Sequence, residues 1–176
     1  MSDKLFDVID FEASSLGAHS YPIELGWTNG PHVHSVLIKP IASWTDWDDY
    51  AETKIHHISR QQLQDEGVSP AEALKMINDD FGAGILWCDG GKYDAWWLQR
   101  LEEAAGFKAS FRLGDVYHML DTYHGVTDDR FYAAKAMVQM HENMLDKVQT
   151  PLMQPHRAGY DAMMIKKALY SAIGYY

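Results

Sequence analysis

The chain has 176 residues, 47% of them hydrophobic and 23% charged, a length that suits one domain over residues 1–176 with a sizeable core. Its formal net charge of −10 argues against a protein that coats nucleic acid through a broad basic surface, and no apolar run approaches the roughly 18 residues of a membrane span. The acid-studded start (Asp3, Asp7, Asp10, Glu12) does not read as a secretory signal, and the lone Cys88 excludes an internal disulfide, so a reducing compartment, the cytoplasm, is expected.

Leu5 to Phe11 reads as a first strand, apolar on both faces apart from Asp7, which suits a central, covered position. A loop follows over Ser14 to Ser20. Ile23 to Thr28 reads as a second strand, Asn29-Gly30 as a hairpin signal, and His32 to Lys39 as a third, alternating strand stopped by Pro40. Residues 42–59 look irregular and aromatic, with Trp44, Trp47 and Tyr50 among acids. Ser59 caps a short helix over Arg60 to Asp65. Ser69-Pro70-Ala71-Glu72 is a capping box opening a helix to about Phe81, with Ala73, Leu74, Ile77 and Phe81 on one face. Gly82 and Gly84 break it. Ile85 to Cys88 is a short buried strand, Asp89-Gly90-Gly91 a turn, and Tyr93 to Ala105 a helix stopped by Gly106. Phe111 to Val116 is extended and Tyr117 to Tyr123 follows it. Asp129 to Asp146 is a long helix, Pro151 and Pro155 frame a loop, and Ala158 to Ala172 is the last helix. This order, three strands and then helices alternating with strands, indicates an α/β fold with a mixed sheet flanked by helices.

Asp10 and Glu12 alternate at the end of the first strand and share a face. Two adjacent carboxylates repel unless a cation sits between them, and oxygen ligands suit Mg²⁺ or Mn²⁺. Taken alone, such a pair is more often a solvated strand end. Asp94 lies in the first turn of a helix beyond a strand end, where ligands gather in open sheets and the helix dipole favours a carboxylate. His156 stands in the loop before the last helix, with Asp161 in its first turn. Four carboxylates and one histidine together suit two-metal phosphodiester hydrolysis.

Asp10-Phe11-Glu12 after a first strand, Tyr93-Asp94 opening a helix after a later strand, and His156-Arg157-Ala158 followed by Asp161 resemble the three motifs of the DEDDh 3′–5′ exonucleases. This is the ribonuclease H-like family of proofreading subunits, oligoribonuclease, ribonuclease T and TREX-type enzymes. The order covers nearly the whole chain. Ile55-His56-His57-Ile58-Ser59 looks like the family's His-Gly-Ile-Ser/Thr segment. The tyrosine subtype would put Tyr at Arg157, so the histidine subtype matches better. The chain departs from the family at Ala13-Ser14-Ser15-Leu16-Gly17, where Thr-Thr-Gly often follows the first Glu, and at Asp89-Gly90, where His-Asn is common.

The resemblance implies a ribonuclease H-like fold with a central mixed sheet of about five strands. It implies a single-domain enzyme releasing nucleoside 5′-monophosphates from the 3′ end of single-stranded or short DNA or RNA, with two divalent ions, Mg²⁺ or Mn²⁺. Asp10 would bridge both ions, Glu12 and Asp161 would serve the ion holding the attacking water, Asp94 would act largely through water, and His156 would be the general base. Ser15, Leu16 and His57 are expected near the terminal nucleotide. Of the adjacent Trp96 and Trp97, one belongs in the core and the other lines the groove, and Trp97 is the candidate to stack on a base. A homodimer is expected on the same ground, and no membrane association. Two other readings keep the fold but change the function: a non-catalytic nucleic-acid or polymerase-binding module, and a small-nucleotide phosphodiesterase. His32 and His34 could share a strand face as ligands, but no Cys or third His lies near enough in sequence for a zinc site.

Overall fold

A computed structural model describes residues 6–145 and 155–174. The meander read from the sequence is present: β1 (Ile9–Ala13), β2 (Pro22–Asn29) and β3 (His32–Leu37) form an antiparallel sheet in that order. The register sets Glu12 opposite Glu24 and Asp10 opposite Gly26. β1 starts later and ends later than the expected Leu5–Phe11. Leu5 lies outside the described residues, and Asp7 is drawn into a polar knot instead, accepting from the backbone N–H of Gly30 at 2.9 Å and from Lys166 Nζ at 2.7 Å.

β4 (Ile85–Cys88) and β5 (Arg112–Asp115) pair in parallel as a second sheet. The two sheets meet at one bridge, Val8 beside Trp87, where Trp87 N–H donates to the Asp7 carbonyl at 2.9 Å. The strands therefore lie in the order β3-β2-β1-β4-β5, yet among the described residues the expected five-stranded sheet is a sheet of three and a sheet of two. The facing ends explain the break. Beyond the bridge β1 carries Asp10 while β4 gives way to Asp89 and the Asp94 helix, and the charges of both act against Asp10. Like charges facing one another across neighbouring strands oppose pairing.

Seven helices surround the sheets among the described residues: α1 (Asp49–Ala51), α2 (Arg60–Glu66), α3 (Pro70–Phe81), α4 (Lys92–Ala105), α5 (Val116–Met119), α6 (Asp128–Leu145) and α7 (Ala158–Ala172). α1 and α5 each run on into a π-helical turn, Glu52–His56 and Leu120–His124. The capping box at Ser69 and Glu72 is made in both directions, at 3.2 and 2.9 Å, and the Ser59 hydroxyl caps α2 at 3.0 Å. Residues 49–56 are a correction, because they were expected to be irregular. Side chain to backbone bonds hold this helical turn: Asp48 accepts from the Tyr50 N–H and the Thr53 hydroxyl donates to the Asp49 carbonyl, both at 2.8 Å. No apolar period is involved, so none is visible. Asp146 and Pro151 lie outside the described residues.

β2 is covered on both faces up to its last residue. Ile23, Leu25 and Trp27 enter the larger core with Phe11, Leu74, Trp97 and Leu101. On its other face α7 rests directly against the strand. A methyl group at Gly26 would fall onto the backbone of Ala158 and Gly159, so only glycine permits this approach. Behind α7 a second core of Val116, Phe131, Ile165 and Leu169 holds α6 in place. No helix of the described residues is long and apolar enough to cross a membrane.

Candidate active site

Three separate stretches of chain bring their acids to one place. β1 supplies Asp10 and Glu12, the first turn of α4 supplies Asp94, and α7 supplies Asp161 with His156 just ahead of it. Ligand atoms of Glu12, His156 and Asp161 all lie within 4.8 Å of one another. The charges of Asp94, Asp161, Glu12 and Asp89 all act on Asp10.

Each acid is fixed by local chemistry. Asp94 is 1% exposed and accepts from the Gly90 N–H at 3.0 Å. A Cβ on Gly90 would come within 2.6–2.8 Å of the Asp94 carboxylate. The glycine is thus required for the carboxylate to fold back over the start of its own helix. Asp161 accepts from the backbone N–H of His156 at 3.0 Å, and His156 takes a φ of +60°, a left-handed conformation uncommon outside glycine.

Arg157, at the N-cap of α7, is clamped to Glu24 on β2. Its Nε donates to Oε2 at 3.0 Å and its second nitrogen to Oε1 at 2.8 Å. The Ala158 N–H adds a third bond to Glu24 at 3.0 Å and the Ser35 hydroxyl a fourth at 2.5 Å. A fully buried carboxylate thereby holds the start of α7 over the sheet, and with it His156 and Asp161.

The electrostatics are those of unneutralised acids. Burial, reinforced by the other carboxylates, raises Asp10 well above the usual range. Burial, then Asp161 and Glu24, raises Glu12 to about 9. Burial likewise raises Asp94 to about 7 and Asp161 to about 6. His156 goes the other way: burial, His57 and Lys135 hold it below its ordinary value. Hard oxygen donors converging with one imidazole fit divalent cations such as Mg²⁺ or Mn²⁺, which would replace the missing positive charge.

Beside these acids opens a cleft of about 290 Å³ lined by Phe11, Glu12, Leu16, Tyr50, Ile55, His56 and Trp97 among others.

No protein-family model matches the chain, and no curated protein matches it either. Solved structures do. Escherichia coli exonuclease I in complex with a dA16 oligonucleotide superposes over 97% of this chain and 41% of its own, at 13% identity and a TM-score of 0.64. Exonuclease I with bound product covers 97% of this chain and 44% of its own, at 12% identity and 0.59. The moderately thermophilic exonuclease I of Methylocaldum szegediense covers 94% and 40%, at 12% identity and 0.59. The fold is the one exonuclease I uses. The chain spans about two-fifths of the length of these proteins.

The expected nucleotide contacts divide around this cleft. Ser15, Leu16 and Trp97 line it. Leu16 is 71% exposed at its mouth. The Ser15 hydroxyl is engaged by Asp46. Trp97 is mostly buried, with Nε1 donating to Ser20 Oγ at 3.0 Å, while its neighbour Trp96 lies under the Arg100 guanidinium. His57 does not line the cleft; it is exposed, with a φ of +56°, and its charge acts on His156. The residue that does line it is His56. Its Nδ1 accepts from the Ile58 N–H at 3.0 Å, so the neutral ring carries its proton on Nε2, and Nε2 is buried without a partner among the described residues.

Several contributors escaped the sequence reading. Glu24 had a signal, an acid between Ile23 and Leu25 near the start of a strand. Lys135 had none, because only the folded chain brings it near.

Proposed function

We propose that the chain is a metal-dependent 3′–5′ exonuclease of the DEDDh, ribonuclease H-like type, a single domain that hydrolyses single-stranded or short nucleic acid to nucleoside 5′-monophosphates. The observation that carries this reading is the convergence of Asp10, Glu12, Asp94, Asp161 and His156 from three distant stretches onto one spot. The exonuclease I fold supports it.

The four carboxylates would hold two divalent ions. When bound, such ions activate a water and stabilise the leaving oxygen of an in-line displacement. His156, neutral at pH 7 because its proton affinity is lowered, accepts the proton of the attacking water at an imidazole nitrogen. Arg157 and Glu24 keep that imidazole in place. The apolar walls given by Phe11, Leu16, Ile55 and Trp97 receive the terminal nucleoside, and the Nε2–H of His56 donates to it. An orphaned buried donor in an apolar cleft is costly unless a ligand completes it.

The test uses 5′-labelled DNA and RNA oligonucleotides of two to about twenty nucleotides with Mg²⁺ or Mn²⁺. A ladder that shortens from the 3′ end is expected, lost in chelator and in Asp10→Ala. Folded protein that cuts no oligomer with either metal would overturn the proposal in favour of a binding module or a small-nucleotide phosphodiesterase.

A further inference from the structure

Asp89 is a fifth carboxylate at this site, and it has a cation of its own. Lys135, midway along α6, is ion-paired with Asp89 Oδ2. The neighbours Phe131 and Ala134 anchor that turn of α6 in the second core, so the lysine is aimed by packing rather than left on a free surface.

Its charge reaches beyond its partner. Asp10 and Asp161 act on Lys135 after Asp89 does, and Lys135 in turn acts on Asp94, Asp161 and His156. The other cation at these acids, Arg157, is clamped to Glu24. Lys135 differs in access: its side chain keeps 36% of its surface exposed, against 11% for Arg157. An ammonium beside these acids, paired with one carboxylate and carried on a part-exposed side chain, has donors left for an anion arriving from solution.

We propose that Lys135 binds the phosphate backbone of the substrate at this site, with Asp89 as the residue that positions it. In a chain of net charge −10 a polyanion gains little from the surface at large, so a cation fixed beside the acids decides where the strand end settles. The ion pair keeps the ammonium from folding onto Asp10 or Asp161, which leaves those oxygens free for metal. The proposal rests on the exonuclease reading for the identity of the ligand.

The experiment measures binding of a labelled ten-nucleotide oligothymidylate by fluorescence anisotropy from 25 to 200 mM salt. Ca²⁺ replaces Mg²⁺, and Mn²⁺ binding is followed separately by titration. Removing one phosphate contact on a single strand reduces the slope of log K against log salt by about 0.7. Lys135→Met and Lys135→Gln are each expected to show that reduction, and to weaken binding on the order of fivefold to tenfold whatever the sequence. Both should still bind Mn²⁺, and Lys135→Arg should keep the wild-type slope. Asp89→Asn should weaken binding without changing the slope, since the ammonium remains. An unchanged slope in both neutral variants, in protein that keeps its circular dichroism, overturns the proposal. Wild-type protein that shows this salt response but hydrolyses nothing defeats the exonuclease reading and leaves Lys135 as a phosphate ligand. Wild-type protein that binds no oligomer defeats both.

Discussion

With Glu12 raised to about 9 and Asp10 raised well above the usual carboxylate range, the cation-free site is expected to carry protons at pH 7. A divalent ion must displace them, because ligating oxygens are deprotonated. Calorimetric titration with Mn²⁺ at pH 7, repeated in buffers of different ionisation heat, is therefore expected to report proton release. The release should shrink as the pH approaches 9. No release at either value would mean that the acids are ionised before the metal arrives. For His156, the proposed base, the shift runs the other way, and its lowered proton affinity leaves it ready to accept. His156→Ala is expected to reduce turnover by roughly 10²–10⁴ with Mn²⁺ binding retained. Loss of metal binding along with activity would reassign His156 from base to ligand.

At the scale of elements, the junction of α7 with β2 decides whether those side chains meet. Arg157→Ala would strand Glu24, a fully buried carboxylate, without its counter-ion, and breaking such a pair costs about 3–5 kcal/mol. Urea denaturation should show this, and the double change Glu24→Gln with Arg157→Met should recover much of it, because no buried charge is then left alone. Gly26→Ala acts on the same junction by volume: the added methyl meets the α7 backbone, so both stability and activity should fall although no charged side chain is removed. The sequence was legible where the relevant physics is local. Capping at Ser69, the Asn29-Gly30 hairpin and the acids at Asp10, Glu12, Asp94 and Asp161 all stand within a few residues of the features that reveal them. The pairing of Glu24 with Arg157 spans 133 residues, and the break between the two sheets depends on charges meeting across strands far apart in the chain. Neither leaves a local pattern. The helical turn at 49–56 was missed for a different reason, since side-chain oxygens rather than apolar spacing hold it.

For the molecule as a whole, the raised carboxyl values set how stability follows pH. An acid whose value is higher folded than unfolded favours the folded state while it is protonated. That contribution is complete below about pH 4, the ordinary carboxylate value, and is lost as the pH climbs through about 6, 7 and 9 for Asp161, Asp94 and Glu12. In chelator the melting temperature should fall between pH 5 and pH 9, by about 2–4 °C for each kcal/mol in a protein of this size. Glu12→Gln should flatten the fall. Added Mn²⁺ should reverse it, since a ligand that binds only the folded form stabilises it. A melting temperature indifferent to pH in chelator would count against the whole electrostatic picture.

The clamp between Glu24 and Arg157 also has a consequence for timing. The half of the site on β1 leaves the ribosome early, and the half on α7 follows it by well over a hundred residues. At about 5–20 residues per second the interval is on the order of ten seconds. Throughout it the nascent chain lacks His156, the proposed base, and the carboxylate of Asp161. An exonuclease of the proposed kind would thus stay inert during synthesis, and would gain its activity only when α7 emerges and docks.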